Sequence, residues 1–383
     1  RMAVAETASA SGKSARGERS VGVTRGVDKS RPLALFGTVQ YAINYIVTGI
    51  QVLALSLAAA ALGLTLADVA HAQMVVDPSA PAGQRPTILL APNGTPLVNI
   101  QTPSSAGVSR NTYTQFDVNG NGVILNNSRT NAQTQLGGWV QGNPWLATGG
   151  ARVILNEVNS SSPSQLRGYV EVAGQRAEVI IANPAGIAVN GGGFINASGV
   201  TLTTGTAIMN AGALEGFRVQ RGTISFEGKG LDASSTDYSN ILARAVTVNA
   251  GLWAKDLRVI TGVNDISASS GSSPSVSATS PTAAGPAPAY ALDVAALGGM
   301  YAGKIYLVGT EAGLGVRNSG TIGATAGDVV LSNTGWLSSS GVIQASGNIA
   351  LTTTGAGSEL RNSGTVFACG YTSLSSLGTL TTC

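Results

Sequence analysis

Three carboxylates, Glu227, Asp232 and Asp237, form the densest acidic group in the chain after residue 72. Glycoside hydrolysis uses two acids held at a fixed separation, so this group is the strongest candidate for catalytic chemistry. Its surroundings are rich in glycine and serine, which is more typical of a solvated loop than of a catalytic pocket. A secreted carbohydrate-active enzyme, either a polysaccharide lyase or a hydrolase, therefore remains an alternative function.

Other chemistries find little support in the residue types. The only histidine is His71, so the chain after it has no Ser-His-Asp triad, no Cys-His pair and no His-ligated zinc site. Gly191–Gly193 lacks the Lys-Ser/Thr ending of a phosphate-binding loop. We predict no catalytic residue, no cofactor and no metal site. No aromatic platform for a sugar or a base can be argued from the tryptophans, since Trp139 and Trp145 lie close in sequence and Trp253 and Trp336 are scattered.

Two asparagine–proline turns are the most informative motifs. One turn, Asn183-Pro184-Ala185-Gly186, separates two apolar runs that have the composition of β-strands. Asparagine caps its own backbone at the first position of a β-turn, proline presets φ at the second, and glycine closes the turn. A second turn of this type is Asn143-Pro144-Trp145-Leu146. Rigid corners of this kind indicate strands that coil in one direction.

Residues 1–72 have the layout of an extended Sec signal peptide. A basic, serine-rich segment is followed by an Ala/Leu-rich run that is densest over residues 52–66. Ala70 and Ala72 then form a small-x-small cleavage site before Gln73. A membrane anchor is the alternative, but the apolar run is shorter than the roughly 20 residues that span a bilayer.

The net positive charge of the chain comes entirely from this leader. The whole chain has 22 basic and 19 acidic residues, of which the leader holds seven and four, so 15 of each remain. A neutral remainder does not favour nucleic acid as a partner.

The chain after Gln73 predicts an all-β solenoid. Short Val/Ile/Leu runs alternate with Gly, Asn and Ser, and related segments end at Ile322, Ile343 and Val366, with steps of 343 − 322 = 21 and 366 − 343 = 23 residues. Such a period, without the pattern of leucine-rich repeats, favours a right-handed parallel β-helix. An exposed solenoid end needs a cap, which we place at residues 73–84. Stacked corners also predict side-chain amide ladders at Asn126, Asn127, Asn318 and Asn362.

We divide the chain at a Ser/Ala/Pro-rich stretch. Residues 73–266 form a secretion domain, 267–288 a flexible surface excursion, and 289–383 the first adhesin-type repeats. Cys369 and Cys383 lie 383 − 369 = 14 residues apart, which differs from the repeat, so we predict no structural disulfide between them.

The two turns and their neighbours resemble a known family. Asn183 to Ile187 is similar to the Asn-Pro-Asn-Gly-Ile signature of two-partner secretion exoproteins, the filamentous haemagglutinin and contact-dependent inhibition family. Asn143 to Leu146 is similar to that family's Asn-Pro-Asn-Leu signature, and the third position departs in both motifs. The resemblance continues through further blocks, at residues 107–111, 115–118, 122–127, 290–293 and 313–317.

The resemblance implies a fold, a route and a partner. The fold is the parallel β-helix, with both motifs acting in secretion. The Sec machinery delivers the chain to the periplasm of a Gram-negative bacterium, where periplasmic domains of an outer-membrane transporter recognise it. The product is a secreted or cell-surface monomeric rod that serves adhesion or contact-dependent toxin delivery, through glycans or receptors on host or neighbouring cells. Some relatives use a C-terminal cysteine pair for surface retention. The resemblance is compatible with an adhesin and with a toxin carrier, and with a chain that is a truncated part of a longer exoprotein.

Overall fold

The computed structural model describes residues 74–268, 274–277 and 280–382. The predicted signal peptide with its cleavage residues Ala70, Ala72 and Gln73 lies outside this range, as does Cys383. No helix within the described residues is long and apolar enough to cross a lipid bilayer.

Three sheets make a β-helix, in which one coil contributes strands to successive sheets. All three are parallel, except that the first and second sheets begin with antiparallel strands. The first sheet contains Val75–Val76, Val108–Gln115, Val153–Val158, Ala177–Ala182, Ala197–Thr203, Ser239–Ala243, Asp256–Thr261, Lys304–Gly309, Val329–Asn333, Ile349–Thr353 and Thr372–Ser376. The second contains Thr87–Leu90, Pro96–Asn99, Val123–Asn127, Tyr169–Gly174, Gly192–Ile195, Leu231–Ala233, Gly251–Ala254, Gly299–Ala302, Thr321–Ala324, Val342–Ala345 and Thr365–Ala368. The third contains Ser164–Leu166, Ile187–Val189, Thr223–Phe226, Ala245–Val248, Leu292–Val294, Val316–Asn318, Leu337–Ser339, Glu359–Asn362 and Thr379–Thr382.

The predicted repeat is the stacking distance between coils. Ile322 pairs in register with Ile343, and Ile343 pairs with Val366, so each strand lies directly above its counterpart one period earlier. Inward residues alternate along these strands and form one continuous apolar core from Met74 to Leu360. The predicted parallel β-helix is confirmed.

The N-terminal end is closed by antiparallel strands. Val75–Val76 pairs antiparallel with Val108–Gln115 at the edge of the first sheet. Thr87–Leu90 pairs antiparallel with Pro96–Asn99 at the edge of the second, after a 3-10 turn at Ala82–Gln84. A reversal of strand direction covers the first parallel coils, as a cap requires, but the capping strands extend to Asn99, beyond the predicted residues 73–84.

A fourth, antiparallel sheet packs on the outside of the first sheet. Its strands come from two insertions in the coil sequence: Thr206–Asn210, Ala213–Val219, Asn264–Ser267 and Ser275–Val276. Phe217 and Ile266 of this sheet are buried against Leu155, Ile180 and Leu242 of the first sheet. The insertion before Thr223 was not foreseen from the sequence, and Ser275–Val276 falls in the stretch assigned to a flexible excursion. The domain boundaries at residues 266 and 289 stay predictions.

A two-stranded hairpin, Ala132–Thr134 and Gly138–Val140, covers the outer face of the second sheet near the N-terminus. The buried carboxylate of Glu171 accepts hydrogen bonds at 2.7 Å from the main-chain nitrogens of both Gln135 and Leu136. These two bonds fix the hairpin turn and so the direction in which the chain enters Asn143.

The predicted amide ladder is interrupted in the C-terminal coils. Asn318 and Asn362 occupy one row, but Ser339 lies between them, so their amides are two coils apart. The Nδ2 of Asn318 donates to the Ser339 hydroxyl at 3.1 Å instead. The ladder prediction is therefore wrong at these two residues.

Candidate functional site

The buried side-chain amide of Asn183 closes its own turn and bonds to the preceding coil, an arrangement that we call a clasp. The described residues include two such clasps. Its side chain is fully buried, its Oδ1 accepts from the main-chain nitrogen of Ala185 at 2.9 Å, and the Gly186 nitrogen donates to its carbonyl at 3.0 Å. Its Nδ2 donates at 3.0 Å both to the carbonyl of Ser162 and to the hydroxyl of Ser164. The predicted β-turn geometry is confirmed. The same amide also joins this turn to the preceding coil, which the motif alone does not reveal.

Gly186 is required by close packing as well as by the turn. Its φ is 122°, a left-handed conformation that side chains disfavour, and an added Cβ would lie 2.9 Å from the carbonyl oxygen of Thr223 in the following coil. Pro184 and Ala185 are half-buried at the surface of the same corner. The turn is therefore held by the coil before it and the coil after it.

Asn143 repeats this device more than one coil earlier, at a corner where the chain passes from the second sheet to the first. Its Oδ1 accepts from the Trp145 nitrogen at 3.0 Å, and the Leu146 nitrogen donates to its carbonyl at 3.2 Å. Its Nδ2 donates at 2.9 Å to the carbonyls of both Ile100 and Asn126. Asn143 is 2% exposed, so this clasp is also shielded from solvent.

The remaining residues of the Asn143 motif divide between core and surface. Leu146 is fully buried in the main core, whereas Pro144 is exposed. Trp145 is 45% exposed, and its indole nitrogen donates to the hydroxyl of Thr87 in the cap at 3.3 Å. In this motif, as at Asn183, the first residue points inward and the third lies at the surface.

A third asparagine extends the Asn143 clasp. The Nδ2 of Asn126 donates at 2.8 Å to the Oδ1 of Asn99 in the cap and to the carbonyl of Gln141. The ladder prediction is thus confirmed for Asn126, which bonds to one other amide. It is wrong at Asn127, whose Nδ2 donates to the carbonyls of Ala151 and Gln175. Sequence reasoning missed the tie between Asn126 and Asn143. The available signal was the pair Asn99 and Asn126, which end two neighbouring strands of the second sheet in register.

The three acids considered for catalysis do not assemble. Glu227 follows a strand of the third sheet, Asp232 lies in the second, and Asp237 precedes a strand of the first. Each has its own partners: Asn249 for Glu227, Tyr169 and Ser234 for Asp232, and Arg176 and Lys255 for Asp237. No three His, Cys, Asp or Glu residues in the described ranges are placed to hold a metal ion. The carbohydrate-active enzyme is therefore not supported.

A cavity of about 470 Å³ lies between the first and fourth sheets, and none of those three acids lines it. Glu178 faces this cavity and accepts from the Thr201 hydroxyl at 2.9 Å. Burial raises the pKa of Glu178 above its usual value, while hydrogen bonds from Thr201 and Tyr238 partly offset that effect. Ionisation of Glu178 therefore lowers the stability of the folded state.

The TPS secretion domain, the secretion domain of two-partner systems, matches residues 72–339. The chain belongs to this family. The crystal structure of a filamentous hemagglutinin secretion domain is similar to the chain, with a TM-score of 0.65 and 33% identity. The similarity covers 78% of this chain and 99% of that structure. The family predicted from the two asparagine–proline motifs is thus confirmed.

Curated relatives of this TPS domain are much longer proteins. Toxin CdiA of Yersinia pestis is 56% identical over 284 residues, which are 74% of this chain and 8% of the relative. The tRNA nuclease CdiA-2 of Burkholderia pseudomallei strain 1026b is 48% identical over 263 residues, 68% of this chain and 8% of the relative. The chain therefore spans about one twelfth of the length of these relatives.

Membership in this family establishes the class of protein and the class of its secretion partner. The chain carries the secretion domain of a secreted or cell-surface exoprotein of Gram-negative bacteria. The second partner of a two-partner system is an outer-membrane transporter. The domain itself has the fold and family of an export module rather than of an enzyme.

Proposed function

We propose that this chain directs export of its exoprotein through an outer-membrane transporter by folding coil by coil from its N-terminal cap. The Sec machinery delivers it to the periplasm, the transporter's periplasmic domains bind the unfolded secretion domain, and folding takes place outside. Residues 1–72 act as the signal peptide, and the exported form begins at Gln73.

The observation that carries this proposal is the burial of both motif asparagines. Asn143 and Asn183 are 2% and 0% exposed, so a folded domain offers neither amide to a transporter. Each amide instead closes a corner and bonds to the coil before it. The motifs Asn143–Leu146 and Asn183–Gly186 therefore act while the chain is unfolded or during formation of the first coils.

Coil formation also supplies a driving force. Each added coil buries a new layer of Val, Ile and Leu, and removal of apolar surface from water contributes roughly 25 cal/mol per Å². A chain that folds only on the outer side cannot slide back through a transporter. The antiparallel cap strands pair with the first coil and so provide the initial folded unit. Each later coil then adds to the coil before it and needs no new nucleus.

For the whole exoprotein we propose contact-dependent toxin delivery, with adhesion as the second outcome. The relatives are named as toxins and nucleases, and the chain matches one short part of each. The described segment contributes no catalysis in this scheme. It acts as a monomeric rod, with residues 73–266 as the secretion domain and 289–383 as the first repeats, and its targets are glycans or receptors on host or neighbouring cells.

Expression of the chain in a Gram-negative host with and without its partner transporter tests the proposal. We expect the chain in the medium or on the surface only when the transporter is present, with equal synthesis in both strains. Appearance outside the cell without the transporter would overturn it.

A further inference from the structure

One outward row of the second sheet collects aromatic side chains from distant parts of the sequence. The register aligns eight positions of this sheet in one row, two of which are the glycines Gly193 and Gly323. We call the other six the aromatic row: Tyr169, Asp232, Trp253, Tyr301, Gln344 and Phe367. Its rungs follow the strand spacing of about 4.8 Å.

The rings of the aromatic row lie over glycines. An added Cβ at Gly251 would lie 2.2 Å from the Trp253 ring, and one at Gly299 would lie 2.6 Å from the Tyr301 ring. Trp253 and Tyr301 are 6.2 Å apart between ring centroids, with 19° between their planes. Glycine at these positions leaves room for the two rings to pack side by side, so Trp253 and Tyr301 form an apolar patch within the row.

The aromatic row remains open to solvent and carries polar groups at intervals. Trp253 is 43% exposed and Phe367 is 59% exposed. The Tyr169 hydroxyl donates to Asp232 Oδ2 at 3.2 Å, and Gln344 presents an exposed amide. The row contains a carboxylate and no lysine or arginine.

We propose that the aromatic row binds an extended, neutral polysaccharide that runs along the axis of the β-helix. The C–H groups of a pyranose ring pack against the negative faces of aromatic rings, while its hydroxyls bond to carboxylate and amide oxygens. One sugar of an extended glycan advances the chain by about one strand spacing, so successive sugars meet successive rungs. The carboxylate of Asp232 disfavours acidic glycans.

A peptide strand is a poorer occupant of this surface. Strand addition needs an unpaired edge, whereas the strands that carry Asp232, Trp253, Tyr301 and Gln344 are paired on both sides. A glycan uses side chains on the face of the sheet and needs no free backbone group.

Affinity electrophoresis in native gels that contain hydroxyethyl cellulose, xyloglucan or galactomannan tests this inference, with heparin as the acidic comparison. We expect at least one neutral glycan to retard the wild-type chain and heparin to have no effect. Trp253→Ala and Tyr301→Ala should each bind about tenfold more weakly, as expected for an aromatic anchor. Trp139→Ala is the matched control, because Trp139 is 65% exposed on the hairpin outside the row, and it should bind as wild type does.

Thermal unfolding of Trp253→Ala should match that of the wild type, and its export should be normal, since Trp253 lies outside the secretion motifs. Absence of retardation in all three neutral glycans would overturn the inference. So would retardation that survives Trp253→Ala, heparin binding that depends on Trp253, or self-association that Trp253→Ala abolishes. None of these results would bear on export.

Discussion

Replacing Asn183 by alanine removes three buried hydrogen bonds at one corner. The lost partners are the Ala185 nitrogen at 2.9 Å and the Ser162 carbonyl and Ser164 hydroxyl at 3.0 Å. Each such bond contributes about 1 kcal/mol net, so Asn183→Ala should lower the free energy of unfolding by roughly 3 kcal/mol. If these bonds form in the folding nucleus, the loss falls on the refolding rate, which should drop about a hundredfold.

Asn333 provides a matched control far from the cap. It is fully buried, and its Nδ2 donates to the carbonyls of Leu314 and Trp336 at 3.1 and 2.8 Å. Asn333→Ala should cost about 2 kcal/mol for its two bonds. Because a late coil forms after the nucleus, this loss should speed unfolding and leave refolding unchanged.

Stopped-flow refolding and unfolding in urea separate these cases, since the two arms of the chevron report folding and unfolding independently. A change in only the unfolding arm for Asn183→Ala, or equal slowing of refolding in both variants, would show that the Asn183 corner is not part of the folding nucleus.

Three further predictions concern other parts of the chain. Burial raises the pKa of Glu178 above 4.5, so the folded state holds its proton longer and stability falls as pH rises from about that value through the folded pKa. Glu178→Gln should therefore flatten this decline in urea titrations between pH 4 and 8, and an unchanged profile would contradict it. N-terminal sequencing of the exported protein should begin at Gln73, and retention of residues 1–72 would contradict the assigned cleavage site. Thiol counting under denaturing, non-reducing conditions should find Cys369 and Cys383 both free, and a mass two hydrogens lighter would show a bridge.

The late coils were predictable because their sequence period equals their stacking distance. From Val316 to Leu360 nothing interrupts the coil, so related residues recur at one repeat and pair in register. The corner at Asn183 was predictable for a different reason, since its turn chemistry is local. Its bonds to Ser162 and Ser164 were not, because a contact between coils has no fixed spacing in sequence.

Insertions hide the remaining features. Trp253 and Tyr301 are neighbours in register, yet an excursion separates them by 301 − 253 = 48 residues instead of one repeat. No aromatic platform could therefore be argued from the spacing of the tryptophans in sequence. The strands of the fourth sheet, such as Ala213–Val219, have the same apolar alternation as coil strands. Only their antiparallel pairing with Asn264–Ser267 distinguishes them, and that pairing joins residues from two separate insertions.

Secretion of paired variants through the partner transporter tests whether closure of the early corners drives export. The double variant Asn143→Ala/Asn183→Ala and the control Asn333→Ala are expressed with the transporter, and the extracellular fraction is measured against total synthesis. We expect the double variant to lose at least about nine-tenths of its export, because both early corners fail to close, while the control is exported as wild type. Equal export of the double variant and the wild type would show that these corners do not drive export, as would an equal loss in the control.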